Sequence, residues 1–95
     1  MFKELPILFI YTKDCPDCRK MRETIEMAIR DNSVEANCRI CEIDSETDEA
    51  IDVAIDNDIS DIPGCVIGDS SFSGKDGYTY DKILEAIESS WKNDE

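Results

Sequence analysis

The chain has 95 residues, which is enough for one compact domain spanning residues 1–95. Its formal net charge of −13, from 23 acidic and 10 basic residues, argues against binding to nucleic acid or to an anionic membrane surface. Because the sequence contains no histidine, Ser-His-Asp and Cys-His catalytic pairs and metal sites with a histidine ligand are excluded.

The first half of the chain predicts two strands and two helices. An unbroken apolar run at 7–11 predicts a buried strand, and a helix begins at Pro16. The apolar residues of that helix recur at helical spacing: Met21, Ile25, Ala28 and Ile29. Alternating residues at 35–44 predict a second strand. Ser45 or Thr47 then caps a second helix, whose apolar face contains Ile51, Ala54 and Ile55.

The second half predicts a hairpin and a last helix. Short strands at Cys65–Ile67 and Ser71–Ser73 are joined by a turn at 68–70. Apolar residues at helical spacing predict a helix from about Tyr80 to Trp91. A strand-helix-strand unit requires a parallel pair, whereas a hairpin adds antiparallel neighbours. The sequence therefore predicts an α/β domain with a mixed sheet.

Cysteine is the reactive residue type that stands out, and its positions are 15, 18, 38, 41 and 65. An odd number of cysteines argues against a closed set of structural disulfides. The apolar run near the start is too short for a secretion signal or a membrane span, so we expect a cytoplasmic protein without a membrane segment. In that reducing compartment, closely spaced cysteines are usually catalytic or metal-binding.

The segment Cys15-Pro16-Asp17-Cys18 lies where the first strand meets the first helix. At a helix N-terminus, free backbone N–H groups and the helix dipole stabilise a thiolate. We therefore expect Cys15 to be the nucleophile. Cys18 lies one helical turn further on, within reach of a mixed disulfide at Cys15. Cys18 is thus the expected resolving thiol, and the two cysteines form the expected redox-active disulfide.

The spacing of Cys15-x-x-Cys18 and Cys38-x-x-Cys41 also falls within the range of a four-cysteine zinc ribbon. Against zinc, positions i and i+3 of a strand point to opposite faces, so Cys38 and Cys41 cannot readily share one ion. We expect no metal site and a structural role for this pair. Cys65 is expected in the core of the third strand, with a third active-site thiol as the alternative.

Two stretches resemble known proteins. Residues 9–18, Phe-Ile-Tyr-Thr-Lys-Asp-Cys-Pro-Asp-Cys, are similar to the active-site segment of glutaredoxins. Residues 59–67, Ile-Ser-Asp-Ile-Pro-Gly-Cys-Val-Ile, resemble the cis-proline strand of the wider thioredoxin superfamily. The element order agrees over essentially the whole chain. The resemblance implies a thioredoxin-like fold, with a four-stranded mixed sheet and three helices in the order βαβαββα.

The resemblance also implies roles for three further residues. It implies that the Ile62–Pro63 peptide is cis and lies beside Cys15, and that the Ile62 backbone pairs with an extended thiol substrate. It implies that Lys13 contacts a carboxylate of glutathione, which would be the co-substrate. Glutaredoxins usually continue from the hairpin with a Gly-Gly pair and acidic residues, whereas residues 72–79 here match only weakly. The electron donor therefore stays open.

We predict a glutaredoxin-like thiol–disulfide oxidoreductase that reduces protein disulfides or glutathione mixed disulfides. It would act as a monomer without a bound cofactor, and its partners would be glutathione or a disulfide reductase and a disulfide-containing client protein. One alternative is a thioredoxin-like enzyme served by a thioredoxin reductase. The other is a non-catalytic or zinc-holding domain on the same fold.

Overall fold

The computed structural model describes residues 5–31 and 38–92. Within these residues the chain forms four strands and three helices, in the predicted order. The elements are β1 (Leu5–Tyr11), α1 (Pro16–Asp31), β2 (Cys38–Asp44), α2 (Asp48–Asp56), β3 (Gly64–Ile67), β4 (Ser70–Ser73) and α3 (Tyr80–Lys92). Of the second strand that the sequence predicts, residues 35–37 lie outside the described part.

The strands form one mixed sheet in the order β2-β1-β3-β4. β1 pairs parallel with β2, and Tyr11 lies opposite Asp44 at the end where both strands finish. β1 also pairs antiparallel with β3, where Ile10 lies opposite Gly64. β3 and β4 form the predicted antiparallel hairpin. One end of the sheet, in the direction of the strands, therefore contains the end of β1, the end of β2 and the start of β3.

Helices cover both faces of the sheet, so the central strands are buried on both sides. Ile7 and Phe9 of β1 pack with apolar residues of α1 and α3, while Ile10 packs on the opposite face, which α2 covers. Met21, Ile25, Ile83 and Ile87 form the centre of the larger cluster and have no exposed surface. The predicted four-stranded mixed sheet with three helices is confirmed.

The apolar face predicted for α2 is right for Ala54 but wrong for Ile51 and Ile55. Ile51 and Ile55 are 53% and 70% exposed, whereas Ala50 is buried and Val53 and Ala54 pack against the sheet. The small side chains of the two alanines let this short helix lie close to Ile10 and Ile43, and the isoleucines are rotated away from the sheet. Thr47 is the N-cap, and its side chain accepts a hydrogen bond from the Ala50 N–H.

Two further features concern the described residues. None of the polar or charged side chains in residues 5–31 and 38–90 is buried. In the same part of the chain, no helix combines the length and the apolar character that crossing a bilayer requires.

Candidate functional site

The turn between β1 and α1 presents both cysteines of the Cys-x-x-Cys segment. Asp14 has a φ of 54°, a left-handed conformation that aspartate tolerates better than most residues, and it directs the chain into the helix. Cys15 follows at the helix N-terminus and is half-buried. The backbone N–H of Cys18 donates a hydrogen bond of 3.1 Å to Cys15 Sγ. This bond holds the Cys15 sulfur at the positive end of the α1 dipole.

Cys18 lies in a different environment from Cys15. Its side chain is 4% exposed and packs in the core beneath the start of α1. Burial raises the pKa of Cys18 to about 11, and the hydrogen bond and negative charge of Cys15 add to this effect. A hydrogen bond from the backbone of Thr12 acts in the opposite direction. Cys18 is therefore held as a neutral thiol while Cys15 is free.

A cavity of about 280 Å³ opens beside the two cysteines, between α1 and the ends of β1 and β2. The two cysteines and all charged residues of its lining are Lys13, Asp14, Cys15, Cys18, Arg19, Arg22 and Glu42. Lys13, Cys15 and Cys18 are thus brought together at one cavity, whereas the contact of Lys13 with glutathione stays a prediction. The cavity is open enough to admit a small substrate to the side of the Cys15 sulfur.

The charge at this cavity differs from that of the protein as a whole. Arg22 pairs with Glu42 across the cavity and with Glu26 along α1, at 3.1 Å in the second case. Lys13 and Arg19 are exposed, and neither has an ion pair with another described residue. Together with Arg22, Asp14 and Glu42, these residues give the lining a net charge of +1, in a chain whose net charge is −13. The cavity is suited to a negatively charged ligand.

The segment before β3 contains the other two predicted site residues. The Ile62–Pro63 peptide bond is cis, as the resemblance implied. Pro63 is buried, and Ile62 is half-buried and packs against the same core cluster as Cys15. Neither residue lines the cavity beside the cysteines. The contact of Ile62 with a substrate stays a prediction.

Asp61 changes the expectation for the Ile62 backbone. The Ile62 N–H donates a hydrogen bond of 3.0 Å to Asp61 Oδ1, so this donor is already occupied. Ser73 Oγ accepts hydrogen bonds of 2.9 Å from the N–H groups of Ser60 and Asp61, and the Gly74 N–H donates to the Pro63 carbonyl. β4 thus anchors the loop, while the exposed Asp61 carboxylate covers the donor that a substrate strand would use.

The other cysteines lie away from Cys15. Cys38 is opposite Leu5 at the far end of β1, about 20 Å along the strand from Tyr11, and packs against the larger core cluster. Cys41 is half-buried and points to the other face of β2. Within residues 5–31 and 38–92, no three His, Cys, Asp or Glu side chains come together as a metal site. The four cysteines with zinc-ribbon spacing are therefore not gathered around one point.

Cys65 lies in the core, as favoured from the sequence. It has no exposed surface, and burial raises its pKa to about 12. It packs in the larger cluster on the face of the sheet that α1 and α3 cover. Cys65 is therefore a poor nucleophile and a structural residue of β3.

Sequence reasoning missed three residues of this region. Arg22 lies one turn after Cys18, so helical spacing could have placed it at the cavity. Glu42 lines the cavity because it pairs in register with Phe9, which only the sheet reveals. Asp61 contacts the Ile62 N–H through a loop conformation that carries no sequence signal.

Comparisons with solved structures agree with the fold described above. The sequence matches no protein-family model and no curated protein at a significant level. Its structure is similar to an uncharacterized thioredoxin-like protein from Clostridium perfringens, with a TM-score of 0.70 and 20% identity, covering 94% of this chain and 72% of that one. It is also similar to mitochondrial thioredoxin 3 from Saccharomyces cerevisiae (oxidized form), with a TM-score of 0.62 and 17% identity over 92% of this chain and 79% of that one.

A third similar structure is the germline-specific thioredoxin Deadhead from Drosophila melanogaster. Its TM-score is 0.62 at 21% identity, covering 92% of this chain and 81% of that one. At such identities the likeness concerns the fold. Together with the order of the elements and of the strands in the sheet, it shows that the chain has a thioredoxin-like fold.

Proposed function

We propose that the protein is a thiol–disulfide oxidoreductase of the glutaredoxin type, in which Cys15 is the nucleophile and Cys18 the resolving thiol. The observation that carries this proposal is the 3.1 Å hydrogen bond from the Cys18 N–H to Cys15 Sγ at the start of α1. It anchors the Cys15 sulfur at the helix N-terminus and keeps the second thiol one turn away, as resolution requires. The similar structures are named as thioredoxins, which supports the same class of chemistry.

The reaction takes place in two exchanges. The Cys15 thiolate attacks one sulfur of a substrate disulfide, so that a Cys15–substrate bond forms and the other substrate thiolate leaves and takes a proton from water. The Cys18 thiol then loses its proton to water and attacks Cys15 Sγ. The Cys15–Cys18 disulfide forms, and the second substrate thiolate leaves and is protonated. The substrate gains two electrons and the protein loses two.

The environment of Cys18 supports this order of events. The hydrogen bond and the charge of Cys15 both contribute to the raised pKa of Cys18. Both contributions end once Cys15 is bonded to the substrate, because the disulfide sulfur carries no charge. Cys18 therefore becomes easier to deprotonate when it is needed as the attacking group.

Glutathione is the proposed electron donor. Two glutathione thiols would reduce the Cys15–Cys18 disulfide and leave as glutathione disulfide. The two cations beside the cavity, Lys13 and Arg19, support this proposal. Glutathione carries two carboxylates, and neither Lys13 nor Arg19 has an ion pair with another described residue. A thioredoxin reductase is the other candidate donor, and the names of the similar structures favour it.

Cysteine variants test the proposed chemistry. Turnover of a small glutathione mixed disulfide in the presence of glutathione should be lost in Cys15→Ser. In Cys18→Ser, mass spectrometry should find a substrate adduct on Cys15. Cys41→Ser is the matched control, because Cys41 is also half-buried but lies on β2, and it should keep wild-type turnover. Full activity in a folded Cys15→Ser protein would overturn the assignment of the nucleophile.

Charge variants test the donor. Lys13→Gln and Arg19→Gln should each raise the KM for glutathione by several-fold and leave kcat nearly unchanged, because they remove binding energy and not reacting groups. Lys75→Gln, an exposed cation outside the cavity lining, is the control. Unchanged KM values, together with turnover by a thioredoxin reductase, would instead support the second donor.

A further inference from the structure

The outward face of α2 carries two isoleucines that the fold does not use. Ile51 and Ile55 are one helical turn apart, so their side chains are neighbours on the same face. They are 53% and 70% exposed, and with Met27 on α1 they are the large apolar side chains most exposed in the described part of the chain. α2 packs on the sheet through smaller residues instead.

A row of carboxylates runs beside these isoleucines. Asp48, Asp52 and Asp56 follow each other at i, i+4 spacing, and all three are exposed. Together with Ile51 and Ile55 they form one continuous surface, which we call the α2 stripe. The surrounding sequence is acidic as well, since residues 40–74 contain ten acidic residues and no basic residue. The negative charge of the chain is thus concentrated around this helix.

The α2 stripe opposes the stability of its own helix except at Asp48, whose place in the first turn the helix dipole favours. Like charges at i, i+4 repel each other, and no lysine or arginine of α2 compensates them. Asp56 lies in the last turn, where the helix dipole disfavours a negative charge. Apolar surface is left in water next to these charges. A partner that brings positive charge and an apolar surface would remove all three penalties at once.

We propose that the α2 stripe is a docking surface for a partner protein whose contact face is positively charged around an apolar centre. Charge complementarity identifies this occupant. A second copy of the chain would place one row of aspartates against another, which repulsion opposes. The proposal does not depend on the thiol chemistry, because the α2 stripe contains none of the residues assigned to catalysis.

Amide chemical shifts of the full chain, recorded by NMR, test the proposal with two synthetic peptides. One is an amphipathic helical peptide of leucine and lysine, and the other is a lysine–serine peptide of the same length and charge. The leucine–lysine peptide should shift the amides of 48–56 most. The double variant Ile51→Ser/Ile55→Ser should weaken its binding by at least about tenfold and leave binding of the lysine–serine peptide unchanged. Met27→Ser, an exposed apolar residue elsewhere, should change neither.

The charges are tested separately. Asp52→Asn/Asp56→Asn should weaken binding of both peptides and also raise the melting temperature of the free protein, because it relieves repulsion within α2. Wild-type affinity in the double isoleucine variant, or shifts spread over the whole acidic surface, would overturn the proposal. A wild-type dimer in sedimentation that the isoleucine variant abolishes would instead identify a second copy as the occupant and also overturn it.

Discussion

Alkaline pH should destabilise the reduced protein through Cys65. The pKa of this thiol rises from 9.0 to about 12 on folding because its side chain is fully buried. Between these values the unfolded chain has lost the proton and the folded chain retains it, so stability that is fully present below pH 9 is lost as the pH rises toward 12. The loss attributable to Cys65 is about 1 kcal/mol at pH 10 and about 3 kcal/mol at pH 11.

Urea unfolding from pH 8 to 11, with a phosphine reductant present, measures this loss. Cys65→Ala removes the thiol, so its free energy of unfolding should start lower but fall less steeply with pH. Between pH 8 and pH 11, the difference in free energy of unfolding between the wild type and Cys65→Ala should decrease by about 3 kcal/mol. Cys18 and Tyr80, whose pKa values are also raised, contribute equally to both proteins and cancel. Burial is the main cause of the raised pKa of Tyr78, and the charge of Cys65 adds to it, so only this smaller part of the Tyr78 contribution is lost together with the thiol. Parallel curves would refute the reasoning.

Three further substitutions test packing, backbone conformation and substrate access. Ile25→Ala should lower the free energy of unfolding by about 3 kcal/mol in urea, because Ile25 has no exposed surface, whereas Met27→Ser on the same helix should change it by less than about 0.5 kcal/mol. Equal losses of unfolding free energy in Ile25→Ala and Met27→Ser would contradict the core described above. Gly74→Ala should lower the free energy of unfolding by about 1–2 kcal/mol in the same assay, since Gly74 has a φ of 80° and a Cβ there would lie 3.1 Å from Asp61 Oδ2. An unchanged urea midpoint would be inconsistent with that conformation. Asp61→Ala should lower the KM for a peptide disulfide several-fold at constant kcat, because it frees the Ile62 N–H, and an unchanged KM would show that substrates do not use this donor.

Periodicity and turn residues were sufficient to predict most of the fold. The buried run at 7–11, the helical spacing after Pro16 and the hairpin at 65–73 all correspond to observed elements. These patterns are local, and the apolar face of α1 follows directly from its 3.6-residue period. The face of α2 could not be obtained in this way, because helix packing depends on how closely the small residues Ala50 and Ala54 let the backbone approach the sheet.

The candidate site was predicted only in part for a similar reason. A Cys-x-x-Cys segment at a strand–helix junction predicts which two thiols react and in which order. The cavity beside them depends on the parallel register that brings Glu42 to Phe9 and on the ion pair that Glu42 forms with Arg22. Such pairs join residues far apart in sequence, so no local pattern predicts them.

A redox titration of the full chain in glutathione buffers, read by mass spectrometry, tests the central claim most directly. The account predicts a reversible disulfide between Cys15 and Cys18, a glutathione adduct on Cys15 and a reduction potential of about −200 to −230 mV. A potential near about −270 mV without an adduct would favour a thioredoxin-like donor and leave the dithiol chemistry intact. The absence of any reversible Cys15–Cys18 disulfide would contradict the account.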